Sequence, residues 1–319
     1  MREYDYKSAF ADDIRAFLKF KASVGIYADT RNWTLWKFDQ WCVERGATTF
    51  DKETVETWAF EWGSRLSDTN HSWISYLRQL GKFMAANGKD AYILSDAFKA
   101  KKYREEPYLL TADEVERFFE AAARIDAHPP WAWQSTCLFG LMHSCGLRPG
   151  ECRRLMRDEV GWDGGYIEIS KSKDNRSRRL PVTDEVMSLL EACDSRSGGY
   201  FGPDRPAFFV NALGRPVSGS DLSRAFGIVW KAAGLPASKG GRRPRPYDFR
   251  HRFAYANIER WAAEGANVDA MLPYLSRYMG HATFSSTYYY VHTSPDFMAG
   301  YADAARTLDD VLPEVGFDA

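Results

Sequence analysis

No stretch of this chain carries the roughly 18 consecutive apolar residues that a membrane-spanning helix needs. The opening Met1-Arg2-Glu3-Tyr4-Asp5 has no apolar core of a secretory leader, so a cytoplasmic protein with no membrane partner is expected. Cysteine is scarce: Cys42, Cys137, Cys145, Cys152 and Cys193 form an odd set without Cys-x-x-Cys spacing. That disfavours both a disulfide framework and a zinc site, and reduced thiols are expected. There is no Gly-x-x-x-x-Gly-Lys-Ser/Thr loop and no cluster of carboxylates of the two-metal kind, so neither a nucleotide cofactor nor a metal is expected. Internal repeats and low-complexity segments are missing too. Net charge is nearly absent, at −1, which by itself argues mildly against a nucleic-acid partner.

The distribution of charge argues the other way. Lys171, Lys173, Arg176, Arg178 and Arg179 stand together against only Asp174, and Lys239, Arg242, Arg243, Arg245, Arg250 and Arg252 against only Asp248. Such patches concentrate positive potential where a phosphate has to dock. Basic loops that are merely solvated are the bland alternative for either patch alone. Lys171, Arg176, Arg178, Arg242, Arg243 and Arg245 are the candidate contacts to a nucleic-acid backbone.

At 319 residues, 45% hydrophobic and 27% charged, the chain has the size of two soluble globular domains. Residues 1–98 read as a bundle of four to five helices, with Phe10, Ile14 and Phe17, then Leu35, Phe38 and Cys42, Val55, Trp58 and Trp62, and Leu77, Leu80 and Met84 near helical spacing. The many aromatics there read as core before they read as base-stacking platforms. Residues 99–107 are polar, charge-dense and closed by Pro107, as a linker would be, and 108–319 form the second domain.

Within the second domain, Thr111-Ala112-Asp113-Glu114 reads as a capping box. Pro129-Pro130 precede a helix whose Trp133, Cys137, Leu138, Leu141 and Met142 are buried. Gly146 ends that helix and Pro149 begins the next. Pro149 pushes Arg148 into extended backbone at a helix start, where free N–H groups and the dipole favour an anion. Glu151 is expected to fix Arg148 or the helix start. Alternation from Gly165 to Ser170 (Tyr166, Ile167, Glu168, Ile169) and a second short strand over Arg179–Val182 predict a β-hairpin with the basic turn at its tip. Thr183 caps another helix, Phe208-Phe209-Val210 reads as a short buried strand, and Leu222–Ala233 is helical. Residues 239–246 cannot be helix and lead into a helix from Tyr247, with Arg250 and His251 three and four residues on. Nine residues separate His281 from Tyr290, which in one continuous helix would set them on opposite sides. A loop at Gly280–Thr283 lets both reach one point.

Gly146-Leu147-Arg148-Pro149-Gly150-Glu151, the hairpin lysine, Tyr247-Asp248-Phe249-Arg250-His251, Gly280-His281 and Tyr290 in Ser286-Thr287-Tyr288-Tyr289-Tyr290-Val291-His292 follow one another in the order of the active-site boxes of the tyrosine recombinase (phage integrase) family, which the chain resembles. The resemblance implies a mainly α fold with a small antiparallel β-sheet: an N-terminal helical, SAM-like core-binding domain that grips DNA, then an α+β catalytic domain. It implies a catalytic set of Arg148, Lys173, Tyr247, Arg250, His281 and the nucleophile Tyr290. Lys173 is selected by counting back from Pro181, with Lys171 as runner-up, and Tyr290 by its spacing from His281. Tyr247 departs from the family pattern, which has histidine there. A phenol cannot readily act as a general base, so that duty would pass to His281 or His251, with a packing role as the plainer reading of His251.

The implied reaction is attack by Tyr290 on a scissile phosphate, giving a 3′-phosphotyrosyl bond and a free 5′-hydroxyl, without a cofactor. Implied partners are double-stranded DNA at specific sites, a homotetramer on paired sites, and accessory DNA-bending or partner recombinase proteins. The tail from Ser294 to Ala319, with Phe297, Tyr301, Ala305, Leu308 and Leu312 near helical spacing, would dock on a neighbouring protomer or on its own domain. A type IB topoisomerase-like nicking and resealing enzyme and a catalytically impaired DNA-binding protein are the alternatives.

Overall fold

The structure is a computed structural model that describes residues 4–26, 29–65, 72–98, 107–125, 128–170, 177–281 and 283–293. The chain divides into two compact units, Met1–Glu105 and Glu106–Ala319. All of the expected linker except Pro107 lies outside the described residues, as does the tail from Ser294. Among the described residues the architecture is mainly α with one small antiparallel sheet. Among the described residues no helix is long and apolar enough to cross a membrane.

Among the described residues, four helices build the first unit: α1 (Ala11–Ser23), α2 (Asp29–Arg45), α3 (Lys52–Arg65) and α4 (Ser72–Ala86). Ile14, Phe17, Leu35, Phe38, Trp58, Leu77, Leu80 and Met84 fill the space between them. The aromatics are largely core: Phe38 meets Trp58 edge-on at 5.3 Å, and Trp58 stacks on Trp62 at 5.5 Å. The buried Asp39 carboxylate accepts from the Lys7 and Ser8 backbone N–H groups at 2.8 and 2.9 Å, tying the segment before α1 to α2.

The second unit opens with α5 (Ala112–Arg124). Its capping box forms as expected, with Thr111 Oγ1 accepting from Glu114 N–H and the Glu114 carboxylate accepting from Thr111 N–H at 2.9 Å. Helix α6 (Trp131–Ser144) is buried from Gln134 to Met142 apart from the half-buried Thr136 and is the element the others surround. It leads through Gly146 to α7 (Pro149–Cys152). Strands β1 (Val160–Gly161), β2 (Tyr166–Ile169) and β3 (Arg178–Pro181) pair antiparallel in that order, with Ile169 opposite Arg178 and Ile167 opposite Leu180. Then come α8 (Asp184–Phe201), α9 (Gly219–Ala232), α10 (Asp248–Ala263), α11 (Val268–Met279) and α12 (Ser285–Thr293).

Phe208–Val210 is buried as expected but does not form a strand. Its donors go to a loop carbonyl and a side chain, Phe208 N–H to Leu155 O at 2.9 Å and Val210 N–H to Gln134 Oε1 at 3.1 Å, which leaves no ladder to extend.

Two packing clusters fix the helix that matters most. Phe249 on α10 lies in an aromatic core with Phe118, Phe139 and Phe226, 5.0 Å from Phe118. Ala254, Tyr255 and Ile258 of the same helix pack on Leu272, Leu275 and Met279 of α11 and on Tyr290 and Val291 of α12. Helix α10 is therefore held on two sides, and its register is set by apolar burial before any polar group is considered.

Candidate active site

Arg148 sits immediately before α7 with φ −66° and ψ 143°, the extended backbone that a following proline favours. Helix α7 has only four residues, so its dipole contributes little. The backbone N–H of Arg148 is taken not by an open anion site but by Glu151 Oε2 at 3.0 Å. The Arg148 guanidinium donates to Glu151 Oε1 at 2.8 Å and to the Gly280 carbonyl at 2.6 Å. What remains to bind an anion is the guanidinium itself, 16% exposed at its side chain.

Glu151 is buried. Burial pushes its carboxyl up, but the Arg178 guanidinium, then the Arg148 N–H and guanidinium, more than offset this and hold it at about 2. Arg178 forks onto both carboxylate oxygens, at 3.0 and 2.9 Å, and donates through Nε to Tyr278 O at 3.0 Å. The sequence reading placed Arg178 on the DNA-facing surface; its side chain is instead turned into the domain, 11% exposed. The period of a strand carried that signal. Arg178 shares a face with the buried Leu180, while Arg179 points the other way, to Glu168 at 3.3 Å.

Arg250 is fully buried on α10. It donates to the Gly146 carbonyl at 2.5 Å and to the Met279 carbonyl at 2.8 Å, joining the turn before Arg148 to the turn before His281. Its Nε is buried with no hydrogen-bond partner. Burial and then Arg148 work against the Arg250 charge, and Tyr247 and Tyr290 lie close enough to favour it.

Gly280 closes α11 in the left-handed region, φ +66°, which reverses the chain and sets His281 outside the helix. His281 Nδ1 bonds Thr287 Oγ1 on α12 at 2.6 Å. The His281 ring stacks on Tyr290 with centroids 6.2 Å apart and planes 19° off parallel. The loop thus brings together two residues that one helix would have separated.

Tyr290 is 3% exposed, with Tyr255 edge-on at 5.4 Å and His251 at 5.6 Å. Burial pushes its phenol well up, and the Arg250 charge pulls against this without prevailing. Tyr288 is exposed and Tyr289 half-buried, so Tyr290 is the residue of the three that α12 turns inward.

Tyr247 is 36% exposed at the head of α10, its ring 5.0 Å from that of His251. His251 lies between Tyr247 and Tyr290, and its Nδ1 is buried without a partner. Burial first, then Arg245 and Arg250, pushes His251 down to about 4; burial, Arg250, Arg148 and Arg178 push His281 down to about 3. Both imidazoles are neutral at neutral pH. Arg242 and Arg243 are exposed, and Arg245 is half-buried with its backbone N–H on Asp248 Oδ2 at 2.7 Å. Lys171, Lys173 and Arg176 lie outside the described residues.

The sequence profile of the phage integrase family matches residues 109–296. A Sinorhizobium fredii protein, y4rE, named only provisionally as an integrase/recombinase, is 30% identical over 303 residues, covering 92% of this chain and 95% of its own length. Tyrosine recombinase XerC of Nitrobacter winogradskyi is 27% identical over 218 residues, covering 67% of this chain and 64% of its own. Among solved structures, the pre-cleavage complex of the XerH site-specific recombinase bound to difH substrate is similar in fold, with a TM-score of 0.64 at 18% identity, covering 90% of this chain and 82% of that one.

Proposed function

This chain belongs to the phage integrase family, the tyrosine recombinases that cut and rejoin DNA, and on that premise we propose that it is a site-specific recombinase acting through a 3′-phosphotyrosyl intermediate at Tyr290. The element it moves would be a phage or another mobile element, by integration, excision or transposition. Double-stranded DNA is the substrate, held by both units, with Arg242 and Arg243 among the backbone contacts and a tetramer as the working assembly on paired sites.

In the proposed reaction, Tyr290 Oη attacks the scissile phosphorus, the bond to the 5′-oxygen breaks, and the 5′-oxygen leaves with a proton supplied by Lys173. A phenol with an ordinary pKa near 10 is only about a thousandth ionised at pH 7, a cost on the order of 4 kcal/mol. Burial makes this worse in the free protein. A cation beside the phenol and a base for its proton both reduce the cost. Arg250 supplies the first. For the second, His281 and His251 are neutral and each lies against the Tyr290 ring. Thr287 holds His281 Nδ1, leaving Nε2 to serve a phosphate oxygen. Tyr247 would donate a hydrogen bond to the phosphate instead of taking a proton.

Arg250 is the observation that carries this reading. A fully buried guanidinium with an unpaired Nε–H, anchored to the two turns that present Arg148 and His281 and acting on Tyr290, is a preorganised site for an anion.

The test is a nicked duplex carrying the DNA that flanks the element ends, incubated with the protein and run on a denaturing gel. A covalent adduct lost in Tyr290→Phe, with the native-gel shift retained, is expected. A clear shift without adduct in the unmodified protein would overturn the catalytic reading in favour of a DNA-binding protein that has lost cleavage.

A further inference from the structure

Arg178 leaves the sheet at the first residue of β3 and enters the space between α7 and the end of α11. There it closes a ring of hydrogen bonds. Its two terminal nitrogens take both oxygens of Glu151, and the same two oxygens take the Arg148 guanidinium and the Arg148 backbone N–H. Arg148 goes on to the Gly280 carbonyl, while the Nε of Arg178 reaches the Tyr278 carbonyl two residues earlier. The turn that presents His281 is therefore gripped by two guanidiniums joined through one carboxylate.

The glycine of the Gly-His pair fits this arrangement twice over. Its φ of +66° disfavours a side chain, and a Cβ there would lie 2.7 Å from one terminal nitrogen of Arg178 and 2.9 Å from its Cζ. The guanidinium occupies the room that a side chain at position 280 would need. A carboxylate accepting from the forked Arg178 guanidinium, from one guanidinium N–H of Arg148 and from the Arg148 backbone N–H has its lone pairs directed on every side, so neither it nor Arg148 is left a second arrangement of equal quality.

We propose that Arg178 is a positioning residue for strand cleavage: through Glu151 it fixes the direction of the Arg148 guanidinium, and through Tyr278 O the turn that carries His281. It does not touch DNA in this role. The proposal rests on the recombinase reading above and adds to it a residue that acts on the phosphate clamp from behind. A misdirected clamp arginine costs rate because the charge developing on the phosphate is no longer met in the transition state.

Two substrates separate this from a merely structural salt bridge: the nicked duplex with an ordinary scissile phosphate, and the same duplex with a neutral methylphosphonate at that position. Arg178→Ala is expected to slow adduct formation on the ordinary phosphate by roughly a hundredfold, with its native-gel shift and salt dependence unchanged. On the methylphosphonate, which no longer needs the charge of Arg148, most of that loss should vanish, as it should for Arg148→Ala. The double variant should be scarcely slower than Arg148→Ala alone. Arg178→Lys guards against misfolding; one ammonium reaches Glu151 or Tyr278 O but not both, so it should fall between wild type and Arg178→Ala.

An equal loss on both substrates, additive losses in the double variant, or no loss on ordinary DNA would each overturn the proposal. So would a uniform drop in affinity with a shallower salt slope, the mark of a phosphate contact. If the unmodified protein forms no adduct, the recombinase reading itself fails; if it forms one and Arg178→Ala forms it as fast, only the role of Arg178 fails.

Discussion

Replacing Glu151 with glutamine isolates the electrostatics of the site from its shape. The amide keeps the length of the side chain and one acceptor oxygen, but it removes the only negative charge in the hydrogen-bonded ring and turns an N–H₂ toward a guanidinium. Arg148 and Arg178, at 16% and 11% side-chain exposure, are then left close together without a counter-charge. Two routes give the size of the effect. Removing one partner of a buried ion pair costs about 3–5 kcal/mol. Independently, holding the Glu151 carboxyl at about 2 against an ordinary value near 4.3 corresponds to about 3 kcal/mol of stability for a group this buried. The two agree, and in a unit of this size about 3 kcal/mol lowers Tm by roughly 6–12 °C.

The sign with pH follows from the depressed carboxyl. Its contribution is full above the unfolded pKa and lost as pH falls toward the folded value of about 2. Thermal unfolding of both proteins from pH 7 to pH 3 should therefore show a constant gap down to about 4.5 and a narrowing gap below it. A fall in Tm of less than about 2 °C at pH 7, or a gap that stays constant to pH 3, would refute the assignment of Glu151 as the charge that holds the two arginines.

The tyrosine that departs from the family pattern gives a second prediction. If Tyr247 donates a hydrogen bond to the phosphate, Tyr247→Phe should slow adduct formation by roughly tenfold, and Tyr247→His should restore or exceed the original rate; an unchanged rate for phenylalanine sinks that role. A third concerns acid. His251 and His281 are held down to about 4 and about 3, so between about pH 6.5 and pH 4 the unfolded chain binds protons that the folded one refuses. Each histidine then removes up to about 1.4 kcal/mol of stability per pH unit as pH falls through that window. His251→Asn and His281→Asn should each flatten the Tm profile there, and a profile identical to wild type would show that the imidazole in question is not buried as described.

Much of the fold was legible along the chain because it rests on local rules. Apolar spacing marked the helices of the first unit, Thr111 and Glu114 wrote their own capping box, and Pro149 fixed the backbone of Arg148. Alternation marked β2. Phe208–Val210 misled because buried apolar residues look alike whether their backbone pairs with a strand or, as here, with Leu155 and Gln134. In the site, the spacing of Gly280 and Tyr290 already required a loop between His281 and the tyrosine, and the structure supplies one.

What the sequence determined by itself was a set of chemical groups and their order: arginines at 148 and 250, a histidine at 281, tyrosines at 288–290. Only the tertiary structure decided which of the guanidiniums stay in water and which are drawn into the domain. Arg178 and Arg250 are both written as members of basic runs, yet Arg250 is buried and the Arg178 side chain is 11% exposed, because the strand face shared with Leu180 and the helix face shared with Ala254 are drawn into the core by apolar area. Charge alone would have kept them in water. Packing turned them inward, and Glu151 and the carbonyls of Gly146, Tyr278 and Met279 are what they found there.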